Sequence, residues 1–222
     1  MNHIAQQLSA IRQTLPEGVR LVAVSKFHPE TAILEAYQAG QRIFGESRAQ
    51  ELSAKAAALP ADISWHFIGH LQTNKIKPVV SVASMIESID SLRLLDAVDR
   101  EAERQGRTIN VLLQVHVARE ETKFGFSPDE IIDYFTTRRF EQLKATHICG
   151  LMAMASNTDD TARINSDFAH VEDLRRQILQ IAPDLRGFTE LSMGMSDDYP
   201  IAITHGATLV RIGSTIFGPR QY

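Results

Sequence analysis

An α/β fold, with eight parallel strands closed into a (β/α)8 TIM barrel behind one extra N-terminal helix, is predicted by three observations. Eight short runs are apolar and rich in β-branched residues, and each has the length of a strand. Segments with apolar residues at three- and four-residue steps separate them. No two successive runs are joined by a hairpin turn, so the strands need crossovers and run parallel. The chain has 222 residues, 44% of them hydrophobic, which suffices for one large core. A single domain over 1–222 is expected. An open doubly wound sheet fits less well, because no Gly-rich dinucleotide fingerprint follows the first strand.

Taken in order, Ile4, Leu8, Ile11 and Leu15 mark one face of the first helix, and Pro16-Glu17-Gly18 ends it. The first strand, Leu21 to Lys26, runs into Pro29, a residue tolerated in a first helical turn. A helix over Glu30–Ala39 stops at Gly40. Arg42–Gly45 is the second strand, followed by a helix from Glu46 to Leu59. Ser64–Gly69 is the third strand, followed by a short helix from Lys75 that Pro78 interrupts. Ser84–Ile89 is the fourth, and Asp90 is a suitable N-cap for a helix over Ser91–Gln105. Ile109–Val115 is the fifth, the most apolar, and leads into a polar loop over Glu120–Gly125. Ser127-Pro128-Asp129-Glu130 carries Ser at N-cap, Pro at N1 and Glu at N3, a helix start. His147–Met152 is the sixth strand, with a long helix over about Thr161–Ile181 after it. Thr189–Met193 is the seventh, with Asp197-Asp198 expected to cap a helix over Tyr199–Thr204. Thr208–Gly213 is the eighth.

Net charge is −4 and the pI about 6.1, with no basic cluster to hold nucleic acid. Cys149 is the only cysteine, which excludes an internal disulfide and suits a reducing compartment. Residues 1–8 lack the basic flank and apolar run of a signal peptide, and no run is long enough to span a membrane. A soluble, cytoplasmic, monomeric protein is the expectation.

In a barrel, chemistry sits at the carboxyl ends of the strands, with phosphate often on the loops after strands seven and eight. Lys26 ends the first strand. An amine at the rim of an apolar interior can be held neutral, and a neutral lysine is a nucleophile toward aldehydes. The alternative is a solvated strand-end charge. Ser192, Gly194, Gly213 and Ser214 form a candidate phosphate cradle: glycine lets backbone approach a ligand, and serine adds a hydroxyl. Arg211 shares a strand face with Gly213 and so points into the barrel mouth, where a guanidinium needs a partner. That partner is either a ligand or an internal carboxylate such as Glu46, Glu87 or Glu190. His66 and His70 do not share a helix face and do not read as a metal pair; no metal is expected. Met193 and Met195 read as packing residues.

Several stretches together resemble one family. They are Val24-Ser25-Lys26, Phe44-Gly45-Glu46, His66 through Lys75, Gly150-Leu151-Met152, Leu191 through Asp198 and Arg211-Ile212-Gly213-Ser214. In this order, over essentially the whole chain, they resemble the YggS/PROSC family of pyridoxal phosphate (PLP) homeostasis proteins, whose barrel is that of alanine racemase. The resemblance implies that Lys26 holds PLP as a Schiff base. It implies that Ser192, Met193, Gly213 and Ser214 hold the phosphate, and that Arg211 faces the pyridine nitrogen. Met152, Ser47 and His66 would lie around the ring. It further implies that the protein buffers PLP or delivers it to apo-forms of PLP enzymes, with no catalytic residue of its own. The chain departs from the family at Ser47, where Asn is usual, and at Ala155-Ser156, where a Pro commonly stands.

An arginine at the pyridine nitrogen cannot accept a proton, so the ring is left a weak electron sink. That suits a carrier, and a racemase equally. Barrel-type PLP racemases add a second, β-rich domain; this chain ends at Tyr222, soon after Gly213, and is expected to lack one. With Tyr37, Tyr134 and Tyr199 on helices, Lys26 is the only acid–base group expected at the site. A PLP-dependent racemase or lyase, and an interaction protein that senses its PLP state, are the rival expectations.

Overall fold

The computed structural model describes residues 3–117 and 124–219. Strands β1 (Arg20–Val24), β2 (Ile43–Glu46), β3 (Ser64–Phe67), β4 (Met85–Ile89), β5 (Ile109–Val115), β6 (Thr146–Ala153), β7 (Glu190–Ser192) and β8 (Leu209–Ile212) each pair in parallel with the next. β8 returns to β1, with Arg20 opposite Leu209 and Ala23 opposite Ile212, so the barrel is closed. Around it lie α1 (His3–Thr14), α2 (Glu30–Gln38), α3 (Ala49–Ala58), α4 (Ile76–Val82), α5 (Leu92–Arg104), α6 (Pro128–Thr136), α7 (Thr161–Ile181), α8 (Tyr199–Thr204) and α9 (Ser214–Phe217). α1 precedes the first strand and buries Ile4, Leu8 and Ile11, as its periodicity predicts.

Two cores follow from the two-residue period of the strands. Outward-facing residues such as Leu21, Ala23, Phe44, Trp65, Ile86, Leu151, Leu191, Val210 and Ile212 join the helices in one large layer. Inward-facing Val22, Met85, Leu112, Met152 and Leu209 fill the barrel itself.

Several boundaries differ from expectation, each for a local reason. Glu46 continues β2 instead of starting a helix, because it pairs with Phe67 in the sheet; α3 begins at Ala49. Pro78 does not interrupt a helix. It sits in the first turn of α4, after a 3-10 turn over Thr73–Lys75, where its missing N–H is tolerated. Ser91, not Asp90, caps α5, its hydroxyl accepting from Leu94 N–H; Asp90 instead meets His70. Asp198 occupies the N-cap of α8, but its carboxylate accepts the Met195 N–H rather than a helical one. The expected capping box of α6 is present in full: Ser127 and Glu130 each accept the other's backbone N–H. Most of the loop read over Glu120–Gly125 lies outside the described residues.

Candidate functional site

Alternation along β1 decides where Lys26 goes. Leu21 and Ala23 face the helices, Val22 and Val24 face the barrel, and Lys26 falls on the inward side, half-buried. It opens onto a cavity at the carboxyl end of the barrel. One flank is apolar, made by Val24, Ile68, Met152 and Met154. The other carries Arg211, Gly213, Ser214, Ser196 and Met195. His28 completes the wall, stacked on the Phe217 ring of α9 at 5.0 Å. Gly213 sits close to its neighbours: a Cβ there would stand 3.1 Å from the Val24 carbonyl oxygen of the adjoining strand, a tight contact. The Ser196 and Ser214 hydroxyls lie 3.4 Å apart across the β7 and β8 loops. Ser214 opens α9, whose first amides have no earlier helical carbonyl to reach. Many barrels carry a short extra helix at this place, after the eighth strand.

Beneath the cavity the barrel holds a polar network. Glu87, fully buried on β4, accepts a hydrogen bond from His66 Nδ1 at 2.6 Å and one from the Ser192 hydroxyl at 2.5 Å. Arg211 donates from one terminal nitrogen to Ser192 Oγ at 2.6 Å and from the other to the Ala153 carbonyl at 2.9 Å. It also stands 3.9 Å from the Glu87 carboxylate. Burial works against the charged form of Glu87. The bond and charge of His66, with Arg211 and Ser192, outweigh it and hold the carboxyl below its usual range. Burial likewise lowers Arg211, against the pull of Glu87 and Asp198. Arg211 is therefore partnered from below, mainly by Ser192 and a carbonyl. Its other three N–H groups make no hydrogen bond among the described residues.

A second buried carboxylate lies behind β2. Glu46 Oε1 accepts from the Ser25 hydroxyl at 2.6 Å and from Lys55 Nζ at 2.7 Å, while Oε2 has no partner among the described residues. Burial raises its pKa, and Lys55 and Ser25 only partly offset that.

Of the residues singled out in the sequence, Lys26, Met152, Arg211, Gly213 and Ser214 line one cavity. Ser192 and His66 face the same interior one layer deeper, joined to it through Glu87 and Arg211. Ser47 lines a neighbouring shallow pocket with Arg48, His70, Gln72 and Lys75. Met193 faces outward, its side chain in the outer core and its N–H donated to the Leu209 carbonyl. Ser196, on the seventh-strand loop that the sequence reading offers for phosphate, also lines the cavity, whereas His28, Ile68 and Met154 carry no role in that reading. His28 gives the cavity a second acid–base side chain, where Lys26 alone is expected; its place two residues after Lys26 is the signal that was available. Glu87 stands at an inward position of a fully buried strand, which makes a carboxylate there conspicuous. His66 and His70 diverge, one toward Glu87 in the interior and the other toward Asp90 at the surface.

Residues 1–221 match the family described as alanine racemase, N-terminal domain. A pyridoxal phosphate homeostasis protein of Synechocystis is 41% identical over 96% of this chain and 96% of its own. One from Schizosaccharomyces pombe is 38% identical over 99% of this chain and 94% of its own. The chain belongs to the pyridoxal phosphate homeostasis family. PipY of Synechococcus elongatus, 41% identical, superposes with a TM-score of 0.92 in its structure without PLP and 0.89 in its structure with PLP bound. Both superpositions cover 97% of this chain and 100% of PipY. Alanine racemase of Streptomyces coelicolor shares the fold, with a TM-score of 0.74 at 20% identity, and this chain spans 58% of it.

Proposed function

We propose that this protein binds PLP reversibly, with Lys26 as the covalent anchor, and serves to buffer or deliver it. One observation carries the reading: an inward lysine shares a cavity with an arginine and a Gly-Ser phosphate cradle, in a chain 41% identical to a protein solved with PLP bound. The donor set fits the ligand. Val24, Ile68 and Met152 offer flat apolar surface to a ring, and Ser196, Gly213 and Ser214 offer hydroxyls and backbone to a phosphate. When bound, PLP supplies an aldehyde carbon. Lys26 is the residue that would hold that carbon, its amine serving as a reversible covalent anchor.

The chain's own residues then set how PLP behaves. Arg211 faces the ring from the β8 side and is held there by Ser192, Ala153 and Glu87. It keeps the Glu87 carboxylate occupied from above, so a ring nitrogen meets a donor that cannot take its proton. Ser192 and His66 act through that network. Met193 contributes packing behind the β7 loop, and Ser47 lies to one side. The weak electron sink suits a holding role and a racemase equally; the holding reading rests on the family's homeostasis proteins. Apo-forms of PLP enzymes are the recipients this reading implies, in the cytoplasm.

The test is a spectrum and an intact mass before and after borohydride reduction. The protein should absorb near about 420 nm, as such C=N adducts do, and reduction should fix the added mass on Lys26. Retention of the band and the reduced adduct by Lys26→Ala would place the anchor elsewhere. Incubation with a single-enantiomer amino acid in deuterium oxide tests the holding role, since sustained deuteration at Cα would make the protein an enzyme.

A further inference from the structure

The turn that presents Lys26 is gripped from behind by a buried charge cluster that does not line the cavity. Lys55, on the inner side of α3, is 95% buried by its 5% exposure. Its ammonium donates to the Ser25 carbonyl at 2.8 Å, to Glu46 Oε1 at 2.7 Å and to Glu51 Oε1 at 2.6 Å, which uses all three of its protons. The same Glu51 oxygen accepts the Phe27 N–H at 2.7 Å, and the Ser25 hydroxyl donates to Glu46. Both neighbours of Lys26 are therefore pinned: Ser25 by its carbonyl and its hydroxyl, Phe27 by its amide. The Phe27 ring is also covered by the Arg48 guanidinium at 4.5 Å.

That grip has a purpose visible in the backbone. Phe27 has φ of 67°, the left-handed region, where a side chain is disfavoured. Such a conformation persists only when its surroundings over-determine it, and it concentrates at functional sites. The cluster supplies the determination. Two carboxylates, Glu46 and Glu51, converge on one turn and tolerate each other only because Lys55 lies between them.

Resting on the reading that Lys26 is the PLP anchor, we propose that Lys55, acting through Glu46 and Glu51, is a positioning residue that holds the Lys26 turn in its left-handed form and so aims the amine into the cavity. Without the Lys55 charge, Glu51, on the more exposed side of the cluster, turns to water and releases the Phe27 N–H. The Ser25 carbonyl loses its second donor, the turn relaxes, and the amine samples orientations from which it does not reach the bound aldehyde. The phosphate cradle on β8 and the Arg211 network belong to other strands and are left in place.

The effect to measure is thus a split between capture and binding. In the full chain, Lys55→Met is expected to lower the limiting rate of PLP capture about tenfold or more, as misplaced reactive groups do. The concentration giving half that rate, and the affinity for 4′-deoxypyridoxine 5′-phosphate, which lacks the aldehyde, should stay within about twofold, the mark of an interaction that serves the step and not the binding. Reductive methylation of Lys26 by formaldehyde, followed by peptide mass in the protein without PLP, should slow in parallel. Glu51→Gln keeps an acceptor for Phe27 but loses the charge, and should fall between Lys55→Met and the parent. An unchanged limiting rate in folded Lys55→Met overturns the proposal, as does an equal loss of capture rate and analogue affinity. If Lys55→Met does not fold, the same two outcomes in Glu51→Gln decide. Lys26→Ala runs alongside: if it still captures PLP covalently, the anchor assignment fails and the positioning role with it, by a result distinct from the other two.

Discussion

Glu46 and Glu87 are both fully buried carboxylates on barrel strands, and they are built oppositely. Glu46 faces outward from β2 to the helix layer, where an ammonium and a hydroxyl share one of its oxygens and the other has no partner among the described residues. Glu87 faces inward from β4, with a donor on each oxygen and a guanidinium close by. Burial wins at Glu46 and raises its pKa; the donors win at Glu87 and lower it. The lesson is that the interior of this barrel is the better solvated place for a charge, because three strands bring polar groups to it there. The helix layer offers only what α3 happens to carry.

The largest effect should come from the inner site. In Glu87→Gln an amide NH2 must face either the His66 or the Ser192 donor, and Arg211 loses its countercharge. A loss of about 3 kcal/mol is expected, the scale for breaking a buried ion pair from one side, read by urea unfolding. Arg211→Gln leaves Glu87 to His66 and Ser192 and removes the group facing the ring. PLP affinity should drop about tenfold, or 1.4 kcal/mol, with the absorbance shifted toward protonated-ring species; an unmoved spectrum would mean that Arg211 does not face the ring.

Glu46→Gln should cost less, under about 1 kcal/mol, because the amide oxygen still serves Ser25 and Lys55 and the amide nitrogen takes the place of an oxygen that had no partner. The two sites should also differ in the sign of their pH response. Glu87, with its pKa depressed, stabilises the fold above the ordinary carboxylate range, and that contribution is lost as pH falls through its lowered value. Glu46, with its pKa raised, carries a penalty that is absent below the ordinary carboxylate value and grows as pH rises through its raised one. The stability difference between the parent and Glu87→Gln should therefore widen with rising pH, and that between the parent and Glu46→Gln should narrow or reverse. Parallel curves would erase the contrast. The smallest effect belongs to Ser47→Asn, which restores the usual family residue beside the cavity, not in it. PLP affinity should change by less than about twofold, or 0.4 kcal/mol, by spectroscopic titration.

The barrel was legible because its signals are local. Ile109–Val115 reads as a strand from composition, and Ser127-Pro128-Glu130 announces a helix through hydrogen bonds that close within four residues. Lys26 and Arg211 were legible because strand parity places their side chains once the strand is known. What was hidden depends on partners remote in sequence. Glu46 looks like the start of a helix beside Ser47 and Arg48 until β3 pairs with it and Lys55 reaches it. Glu87 reads as a charge out of place until His66 and Ser192, from β3 and β7, arrive at its two oxygens. α9 is a single turn, too short for periodicity to reveal. His28 joins the cavity wall beside Phe217 of α9, a contact that no pattern within β1 or its loop encodes.

The seam between β1 and β8 gives the site a place in time. Lys26 follows β1, while Arg211 lies on β8 and Gly213 and Ser214 just after it, so the two halves of the site come from strands far apart in the sequence. An unfinished chain has the amine without its cradle, and an open barrel keeps the two apart. Cofactor binding in this cavity therefore needs a closed barrel, and a bound ligand in turn links the two sides of the β1/β8 seam.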